Sequence, residues 1–305
     1  MMSRKTKLIF NPHADRGHAW DVVYGLRGLI ERYDDVSWAA TDYPGHATKL
    51  AAEAMAEGYQ VIAGLGGDGT VHEIINALMK MPVEERPLLA AVPVGSGNDF
   101  CANNGIPKDP EQALLRVFDG EPHVIDLASI RDNNNHRKYW GNTISIGFGA
   151  SVAIYAYHIT NLRGFPMYLW AVTKTIFLQH NAPIMRIETD QESFEDEVLM
   201  ISLNNGAREG GGFLTSPDAE PDDGILNYAL INNVSRAMMF RLIPEVMRGT
   251  HGRFKDVRLG AFTKMKISSQ EPIPIHADGE IYADFSSQVT ELEIEILPEE
   301  LTILR

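Results

Sequence analysis

The chain has 305 residues, enough for one large domain or two ordinary domains that each have a hydrophobic core. Its net charge of −14 argues against nucleic acid as a partner, because a surface that binds phosphate backbones needs an excess of basic residues. The single cysteine, Cys101, permits no internal disulfide, and no signal peptide or bilayer-spanning apolar run is visible. These features predict a cytoplasmic globular protein.

Strand and helix patterns alternate through the first 127 residues. Short apolar runs predict strands at Lys7–Phe10, Val36–Ala40, Val61–Ala63 and Leu88–Val92, and helical periodicity predicts helices at His18–Arg32, His46–Glu57, Thr70–Leu78 and Pro110–Asp119. Strands that alternate with helices form a parallel sheet that is covered on both faces. Residues 1–127 are therefore predicted to be an α/β domain.

The pattern changes after Leu127, and a turn signal follows at Asp132–Asn135. Strands are predicted at Lys138–Ile146, Ile184–Thr189, Glu197–Leu203, Ile225–Leu230, Arg258–Ser268 and Val289–Leu297, with helical insertions around Phe165–Leu178 and Ser235–Met247. Residues 128–297 are therefore predicted to be a β-rich domain, and the tail, from about 298 to 305, to hold a last strand at Leu301–Leu304.

A glycine-rich turn, Gly66–Gly69, joins the predicted strand Val61–Ala63 to the predicted helix Thr70–Leu78. So tight a turn needs backbone angles that glycine adopts at little cost, and it aims the N–H groups of the helix start at whatever binds there. An anion is the favoured ligand of such a turn. The sequence therefore predicts a phosphate cradle that contains one carboxylate, Asp68.

Two other phosphate motifs compete for this turn. Gly64–Gly69 also fits the dinucleotide fingerprint, but that motif needs an acidic residue at the end of the next strand, and no carboxylate follows Leu88–Val92 until Asp99. A Walker A loop is excluded because no Lys-Ser or Lys-Thr pair follows the glycines.

A second glycine-rich turn, Gly95–Phe100, follows the next predicted strand. Because the carboxyl ends of neighbouring parallel strands meet at one edge of a sheet, both turns are expected to face one cleft. The spacing does not fit a nucleophile elbow, since Val94 stands two residues before Ser96. Ser96 is therefore interpreted as a hydroxyl that contacts phosphate.

The two glycine turns and several further motifs follow each other along the chain in the same order as in one known family. They are Asn11-Pro12, Thr41 with Gly45–Ala47, the two glycine turns, Gly210–Gly212, Pro221–Gly224 and Asp278–Glu280. The chain resembles the bacterial diacylglycerol kinase-like lipid kinases, relatives of the sphingosine, ceramide and NAD kinases. The resemblance implies the NAD kinase/diacylglycerol kinase-like two-domain fold, with a sandwich-like C-terminal domain and a tail that returns to the first domain. It also implies transfer of the γ-phosphate of ATP, with Mg²⁺, to a lipid hydroxyl.

The resemblance also implies roles for individual residues. ATP would be contacted by Asn11, Pro12, Thr41, Gly66, Gly67, Asp68, Gly69, Thr70, Val71, His72, Gly95, Ser96, Asn98 and Asp99. Asp68 would orient Mg²⁺–ATP or help position the acceptor hydroxyl, and Glu280 would be the general base. A structural Mg²⁺ would be held by the carboxylate of Asp223 and the backbone carbonyls of Glu220 and Ile225.

Some of these positions have a plainer interpretation or depart from the family pattern. Asp278-Gly279 fits a hairpin turn between Ile273–His276 and Ile281–Ala283, and Pro221–Gly224 fits a turn that opens the Ile225 strand. The phosphate segment His13–Gly17 is unusual, and Ser96 replaces a threonine. His72 replaces an asparagine and is alternatively a partly exposed helix residue.

The acceptor is the least specified part of the reaction. Apolar residues that could line a lipid slot, or equally pack a core, are Phe165, Met167, Leu169, Trp170, Ile176, Phe177, Met238, Met239, Phe240 and Met247. Arg236–Lys266 contains eight basic and two acidic residues, so this segment is net +6 and the rest of the −14 chain is −20. It is a candidate for transient contact with an anionic membrane surface.

The interpretation is a diacylglycerol or related glycerolipid kinase. A sphingoid-type kinase, a kinase of a soluble substrate such as NAD, and a nucleotide-binding regulator without catalysis stay open, as does a homodimer.

Overall fold

The structure is a computed structural model that describes residues 4–159 and 161–305. The chain divides into two compact units. The first contains Met1–Ile125 and Glu299–Arg305, and the second contains Asp126–Pro298.

The first unit is an α/β unit. Its strands are β1 (Thr6–Phe10), β2 (Val36–Ala40), β3 (Val61–Gly66) and β4 (Leu88–Pro93), and its helices are α1 (Ala19–Ile30), α2 (His46–Ala56), α3 (Asp68–Leu78), α4 (Asp99–Asn103) and α5 (Pro110–Asp119). The strands are parallel and lie in the order β4-β3-β1-β2. Every residue of β3 is buried, as expected for a parallel strand covered on both faces. The predicted parallel α/β architecture of this unit is confirmed.

The last residues of the chain belong to this first unit. Ile303 pairs in parallel with Leu89 of β4, and Glu121 and Arg305 exchange two backbone hydrogen bonds. The guanidinium of Arg86 donates to the carboxylate of Glu300 at 2.9 Å, and its side chain is only 7% exposed. The tail is therefore held by both strand pairing and a largely buried ion pair.

The second unit is β-rich. It begins within β5 (Pro122–Asp132) and continues through β6 (Arg137–Trp140), β7 (Thr143–Gly147), α6 (Phe148–Tyr157), α7 (Gly164–Leu178), β8 (Ile184–Thr189), β9 (Ser193–Asn204), β10 (Arg208–Glu209), β11 (Phe213–Leu214), β12 (Leu226–Asn232), α8 (Arg236–Arg248), β13 (Val257–Phe262), β14 (Lys264–Ser269), β15 (Ile275–Ala277), β16 (Glu280–Ala283) and β17 (Glu291–Leu304).

Strand β9 belongs to two antiparallel layers of the second unit. It pairs with β8, which continues to β14 and β17, and it also pairs with β7 and β12. Apolar residues of both layers, such as Ile187 and Ile267 on one and Ile144 and Leu203 on the other, form a single buried core. This arrangement is sandwich-like, as predicted.

Two strand predictions in the second unit are wrong, and one helix was not predicted. The strand expected over Lys138–Ile146 is interrupted at Gly141 and Asn142, whose N–H groups donate to a side chain instead of a neighbouring strand. The strand expected over Arg258–Ser268 is interrupted at Thr263, whose N–H donates to the carboxylate of Asp190 at 3.0 Å. Helix α6 was not predicted, because its residues are apolar on all sides and show no amphipathic period.

Helix α7 is the most apolar long helix of the second unit, but it has only 15 residues. Within the part of the chain that the structure describes, no helix has the length and apolar character to cross a membrane.

Candidate active site

The two glycine turns of the first unit meet backbone to backbone. A Cβ atom on Gly95 would lie 2.3 Å from the Cα of Gly67, so the backbone of Gly67 leaves no room for a side chain at Gly95. The N–H of Val94 donates to the carbonyl of Gly66 at 3.1 Å, which ties the end of β4 to the end of β3. The structure therefore brings the two predicted phosphate turns together at one edge of the sheet.

Asp68 is the residue that links the two turns through its side chain. Its Oδ1 accepts a hydrogen bond of 2.8 Å from the N–H of Phe100, which lies in the first turn of α4. Asp68 itself opens α3, where a carboxylate is favoured by the positive end of the helix dipole. The side chain of Asp68 therefore joins the first turn to the end of the second turn.

Asn98 supports the second turn. Its backbone is in the left-handed region, with φ of 57°, and its side chain bonds both polar groups of one residue: Oδ1 accepts from the N–H of Gly95 and Nδ2 donates to the Gly95 carbonyl. Asn98 therefore shapes the turn through its side chain, a role that the motif alone does not reveal. The next residue, Asp99, is largely buried, with 6% of its surface exposed.

The loop after β1 approaches both turns. The amide of Asn11, next to Pro12, donates to the hydroxyl of Thr70 at 3.2 Å, and the hydroxyl of Ser96 donates to the carboxylate of Asp15 at 2.8 Å. Asp15 and Arg16, which belong to the unusual segment His13–Gly17, both have positive φ. The contact between Ser96 and Asp15 was not predicted, because the two residues lie 81 positions apart.

His72 lies in α3 and is only 2% exposed. The expectation of a partly exposed helix residue is therefore wrong. The neighbouring Val71 is 3% exposed and Ile75 is fully buried, so this stretch of the helix turns its side chains into the unit.

A carboxylate that the sequence did not single out closes the turn after β2. Glu73 of α3 accepts hydrogen bonds from the N–H groups of Gly45 and Ala47, both at 2.8 Å, and so caps the start of α2. Thr41 precedes this turn, is 6% exposed, and donates its N–H to the carbonyl of Phe10. Glu73 therefore fixes the position of the Thr41 loop relative to α3.

The residues around the two turns fit the phosphates of a nucleotide. The glycines keep side chains away from the backbone, α3 presents the positive end of its dipole, and Thr70 adds a hydroxyl group, while the hydroxyl of Ser96 donates to Asp15 in this structure. The buried Cys101 nearby is no competing nucleophile, because burial, followed by the charges of Asp68 and Asp99, raises the pKa of its thiol.

The hairpin turn between β15 and β16 is built on Asp278. Its carboxylate accepts hydrogen bonds from the N–H groups of Gly141, Asn142 and Thr143 at 2.6, 3.0 and 2.7 Å, and the residue is 4% exposed. Ala277 and Glu280 pair across the hairpin. The predicted turn is confirmed, and Asp278 fixes the place from which the partly buried Glu280 starts β16.

Replacing Asp278 by Ala is expected to lower the free energy of unfolding by about 3 kcal/mol or more, because three buried N–H groups lose their acceptor. Asp278→Asn keeps one acceptor oxygen and should cost less. Denaturant unfolding of the two variants checks this order. Equal stability of the wild type and Asp278→Ala would contradict the structural role of this carboxylate.

The predicted structural-cation residues lie in the turn before β12. The N–H of Ile225 donates to Asp223 at 3.0 Å, and Asp126, which the sequence did not single out, accepts from the N–H of Gly224 at 2.6 Å. Partial burial, followed by the charges of Asp126 and Glu220, raises the pKa of Asp223. Carboxylates and backbone carbonyls are the oxygen donors that a hard cation prefers.

The candidate donors are a mixture of carboxylates and backbone carbonyls. Within residues 4–159 and 161–305, no group of three or more His, Cys, Asp or Glu side chains has the geometry to hold a metal ion. A cation here would therefore depend on the carbonyls of Glu220 and Ile225, as the resemblance implies, and it would supply rigidity to the turn.

Two family models match the chain, one after the other. The diacylglycerol kinase catalytic domain matches residues 5–130, and the YegS C-terminal NAD kinase beta sandwich-like domain matches residues 142–305, which is more than half of the chain. The chain belongs to the diacylglycerol kinase-like family of lipid kinases. It is therefore a phosphotransferase with an alcohol group as acceptor.

Relatives of this lipid kinase match along nearly its whole length. A diacylglycerol kinase of Mycobacterium tuberculosis is 29% identical over 305 residues, covering 99% of this chain and 95% of the relative. A YegS-like lipid kinase of Stenotrophomonas maltophilia is 28% identical over 306 residues, covering 98% of this chain and 95% of the relative. A crystal structure of a diacylglycerol kinase from Bacillus anthracis has a TM-score of 0.74 at 23% identity and covers 100% of this chain and 97% of that chain, a likeness of fold.

Proposed function

We propose that this lipid kinase transfers the γ-phosphate of ATP, with Mg²⁺, to the hydroxyl of diacylglycerol or a related glycerolipid. The observation that carries the proposal is the junction of the two glycine turns through Asp68 and Phe100 in a chain of this family. Phosphoryl transfer needs positioned phosphates, a cation that neutralises charge, and a carboxylate that orients or deprotonates the acceptor.

Each requirement is assigned to particular residues. The glycine turns, with Asn11, Thr70 and Ser96, hold the phosphates, and Asp68 orients Mg²⁺–ATP. Glu280 accepts the proton of the acceptor hydroxyl as that hydroxyl bonds to the γ-phosphorus, whose bond to the bridging oxygen breaks and releases ADP. Bound Mg²⁺ supplies charge neutralisation on the phosphate oxygens.

An acceptor screen tests the proposal. The purified protein is incubated with ATP labelled at the γ-phosphate and Mg²⁺, together with extracted lipids in detergent micelles or with NAD. Label in a chloroform-soluble glycerolipid phosphate supports the proposal, whereas label in NADP, or in a sphingoid phosphate alone, would replace it with another acceptor class. No labelled product from a protein that binds ATP would indicate a regulator without catalysis.

We also propose that α8 and its neighbour α7 contact the membrane that holds the acceptor. Phe177 of α7 is 62% exposed and Phe240 of α8 is 38% exposed, and their ring centroids lie 5.7 Å apart. The exposed face of α8 also carries Met247 and the basic residues Arg241 and Arg248. Exposed aromatic side chains beside basic ones suit the interface of an anionic bilayer.

The basic segment Arg236–Lys266 does not contribute evenly to this surface. Four of its eight basic residues lie in ion pairs within the second unit: Arg253 with Glu245 of α8, Arg258 with Glu192, Lys264 with Glu295, and Lys266 with Glu291. Such pairs leave little net charge for a lipid surface. The basic residues of the proposed membrane surface are therefore limited to those of α8.

Reversing the charges of Arg241 and Arg248 to Glu is expected to weaken binding to anionic vesicles by about 2 kcal/mol, or roughly 30-fold, because each basic residue contributes about 1 kcal/mol. Vesicle co-sedimentation at low and high salt measures it. Arg32→Glu with Lys108→Glu, both exposed in the first unit, is the matched control with the same change in net charge. Binding that ignores both the α8 substitutions and salt would contradict this membrane face.

A further inference from the structure

A partly buried carboxylate outside the predicted site lies on one face of the second unit's sheet. Ser145 of β7 and Ser202 of β9 are direct partners across the antiparallel pair, so their side chains share a face. The hydroxyl of Ser145 donates to Oε1 of Glu209 at 2.5 Å, and the hydroxyl of Ser202 donates to Oε2 at 2.8 Å. Each oxygen of the carboxylate is thus held by one serine.

Burial is the largest influence on Glu209, and it raises the pKa of the carboxyl group. The hydrogen bonds from Ser145 and Ser202 act in the opposite direction, and the charge of Asp278 raises the pKa again. An ionised carboxylate has about four acceptor positions, and the two serines occupy two of them. Glu209 therefore keeps acceptor capacity for a ligand, and as a partly exposed residue it is within reach of one.

Aromatic residues lie beside Glu209, which pairs with Phe213 across β10 and β11. Glu209 ends β10, and the glycine turn Gly210–Gly212 leads into β11, where Phe213 packs 5.6 Å from the ring of Phe165. A Cβ atom on Gly212 would lie 2.5 Å from the Phe165 ring, so the aromatic side chain rests directly on this backbone. Half-buried rings beside a fixed carboxylate are a combination that suits an amphiphile.

We propose that Glu209 binds a second polar group of the lipid acceptor, a hydroxyl or an amine that donates a hydrogen bond next to the hydroxyl that is phosphorylated. The apolar part of the same acceptor lies against Phe165 and Phe213. This inference rests on the proposed lipid kinase function and narrows the acceptor within it. A monoacylglycerol and a sphingoid base both carry such a donor beside an alkyl chain.

The chemistry of Glu209 separates these acceptors from a diester. In diacylglycerol the groups beside the free hydroxyl are esters, whose oxygens only accept hydrogen bonds. An ester oxygen placed against a carboxylate gains no bond and leaves one carboxylate position unsatisfied, which costs affinity. A free hydroxyl or an amine in the same place satisfies that position. The cluster therefore discriminates by the presence of a donor.

Steady-state kinetics with acceptors of equal chain length test this inference. The acceptors are dioctanoylglycerol, monooctanoylglycerol and a short-chain sphingoid base, each measured with ATP and Mg²⁺ for kcat and KM. The wild type is expected to have a higher kcat/KM for at least one donor-bearing acceptor than for the diester. The ratio of kcat/KM for that donor-bearing acceptor to kcat/KM for the diester is expected to fall by about 10- to 100-fold in Glu209→Gln, because the acceptor loses a hydrogen bond to a charged group.

Glu195→Gln is the matched control, since Glu195 is an exposed carboxylate on β9, the strand that carries Ser202. Glu209→Asp, which keeps the charge but retracts it by one methylene group, gives the same test if Glu209→Gln fails to fold. A fall confined to monooctanoylglycerol or to the sphingoid base identifies which donor Glu209 binds.

A wild-type preference for the diester, or an unchanged ratio in a folded Glu209 variant, would overturn the role of Glu209 and leave the lipid kinase function intact. Failure of the wild type to phosphorylate either of the two glycerolipids would instead overturn the proposed function itself.

Discussion

Glu280→Gln is expected to give a folded protein whose phosphoryl transfer falls by about 10²- to 10⁴-fold, the usual contribution of a positioned general base. Glutamine has the same shape as glutamate but accepts no proton at neutral pH. The substitution leaves the backbone pairing of Glu280 with Ala277 in place, and Asp278 still closes the hairpin. The loss is therefore expected in kcat, measured with saturating ATP and lipid.

Two controls accompany this measurement. The affinity for Mg²⁺–ATP should stay within a small factor of the wild-type value, because Glu280 is assigned to the acceptor and not to the nucleotide. Glu195→Gln should keep wild-type turnover, since Glu195 is exposed on β9 and has no proposed role in transfer. Near-wild-type turnover of Glu280→Gln would show that another group takes the proton.

Asp68→Asn is expected to reduce turnover to near background while leaving stability almost unchanged. An asparagine keeps the oxygen that accepts from the N–H of Phe100, so the two glycine turns stay joined, but the negative charge is lost. Without that charge the cation and the triphosphate are no longer oriented for transfer. Turnover as a function of Mg²⁺ concentration measures the effect, with thermal unfolding as the check on the fold.

Asp68→Ala separates the two roles of this carboxylate. Alanine removes both the charge and the acceptor of the Phe100 N–H, so we expect it to be inactive and also less stable by about 2 kcal/mol. If Asp68→Asn kept wild-type turnover and an unchanged requirement for Mg²⁺, the carboxylate would be a structural link alone.

Local sequence patterns were sufficient for most elements of the fold. The bounds predicted for β2, β8 and α5 match the structure, because apolar runs and helical periods bounded by turn residues depend on nearby positions only. Helix α5 also begins with a clear signal, Asp109 as the N-cap followed by a proline at the first helical position.

The interrupted strands could not be predicted in this way. The break at Gly141 depends on Asp278, which lies 137 residues further along the chain, and the break at Thr263 depends on Asp190, 73 residues earlier. Both carboxylates take backbone N–H groups away from the strand ladder. No property of the residues around either break indicates that such a partner exists.

In the candidate site, too, features with a local sequence signal were predicted, and features that depend on distant residues were not. Motif order identified the two glycine turns, and the topology of a parallel sheet explains why Gly67 and Gly95 meet. Three carboxylates were missed because they act through partners on other elements: Asp15 and Glu73 in the first unit, and Glu209 in the second. A carboxylate next to a run of three glycines was the only local signal for Glu209.

The most direct test of this account is the transfer of labelled γ-phosphate from ATP to a defined glycerolipid in mixed micelles. The wild type should form labelled lipid phosphate with Mg²⁺ present and none after chelation with EDTA, and Glu280→Gln should form almost none under either condition. Folded, ATP-binding wild type that leaves every glycerolipid unlabelled would contradict the account.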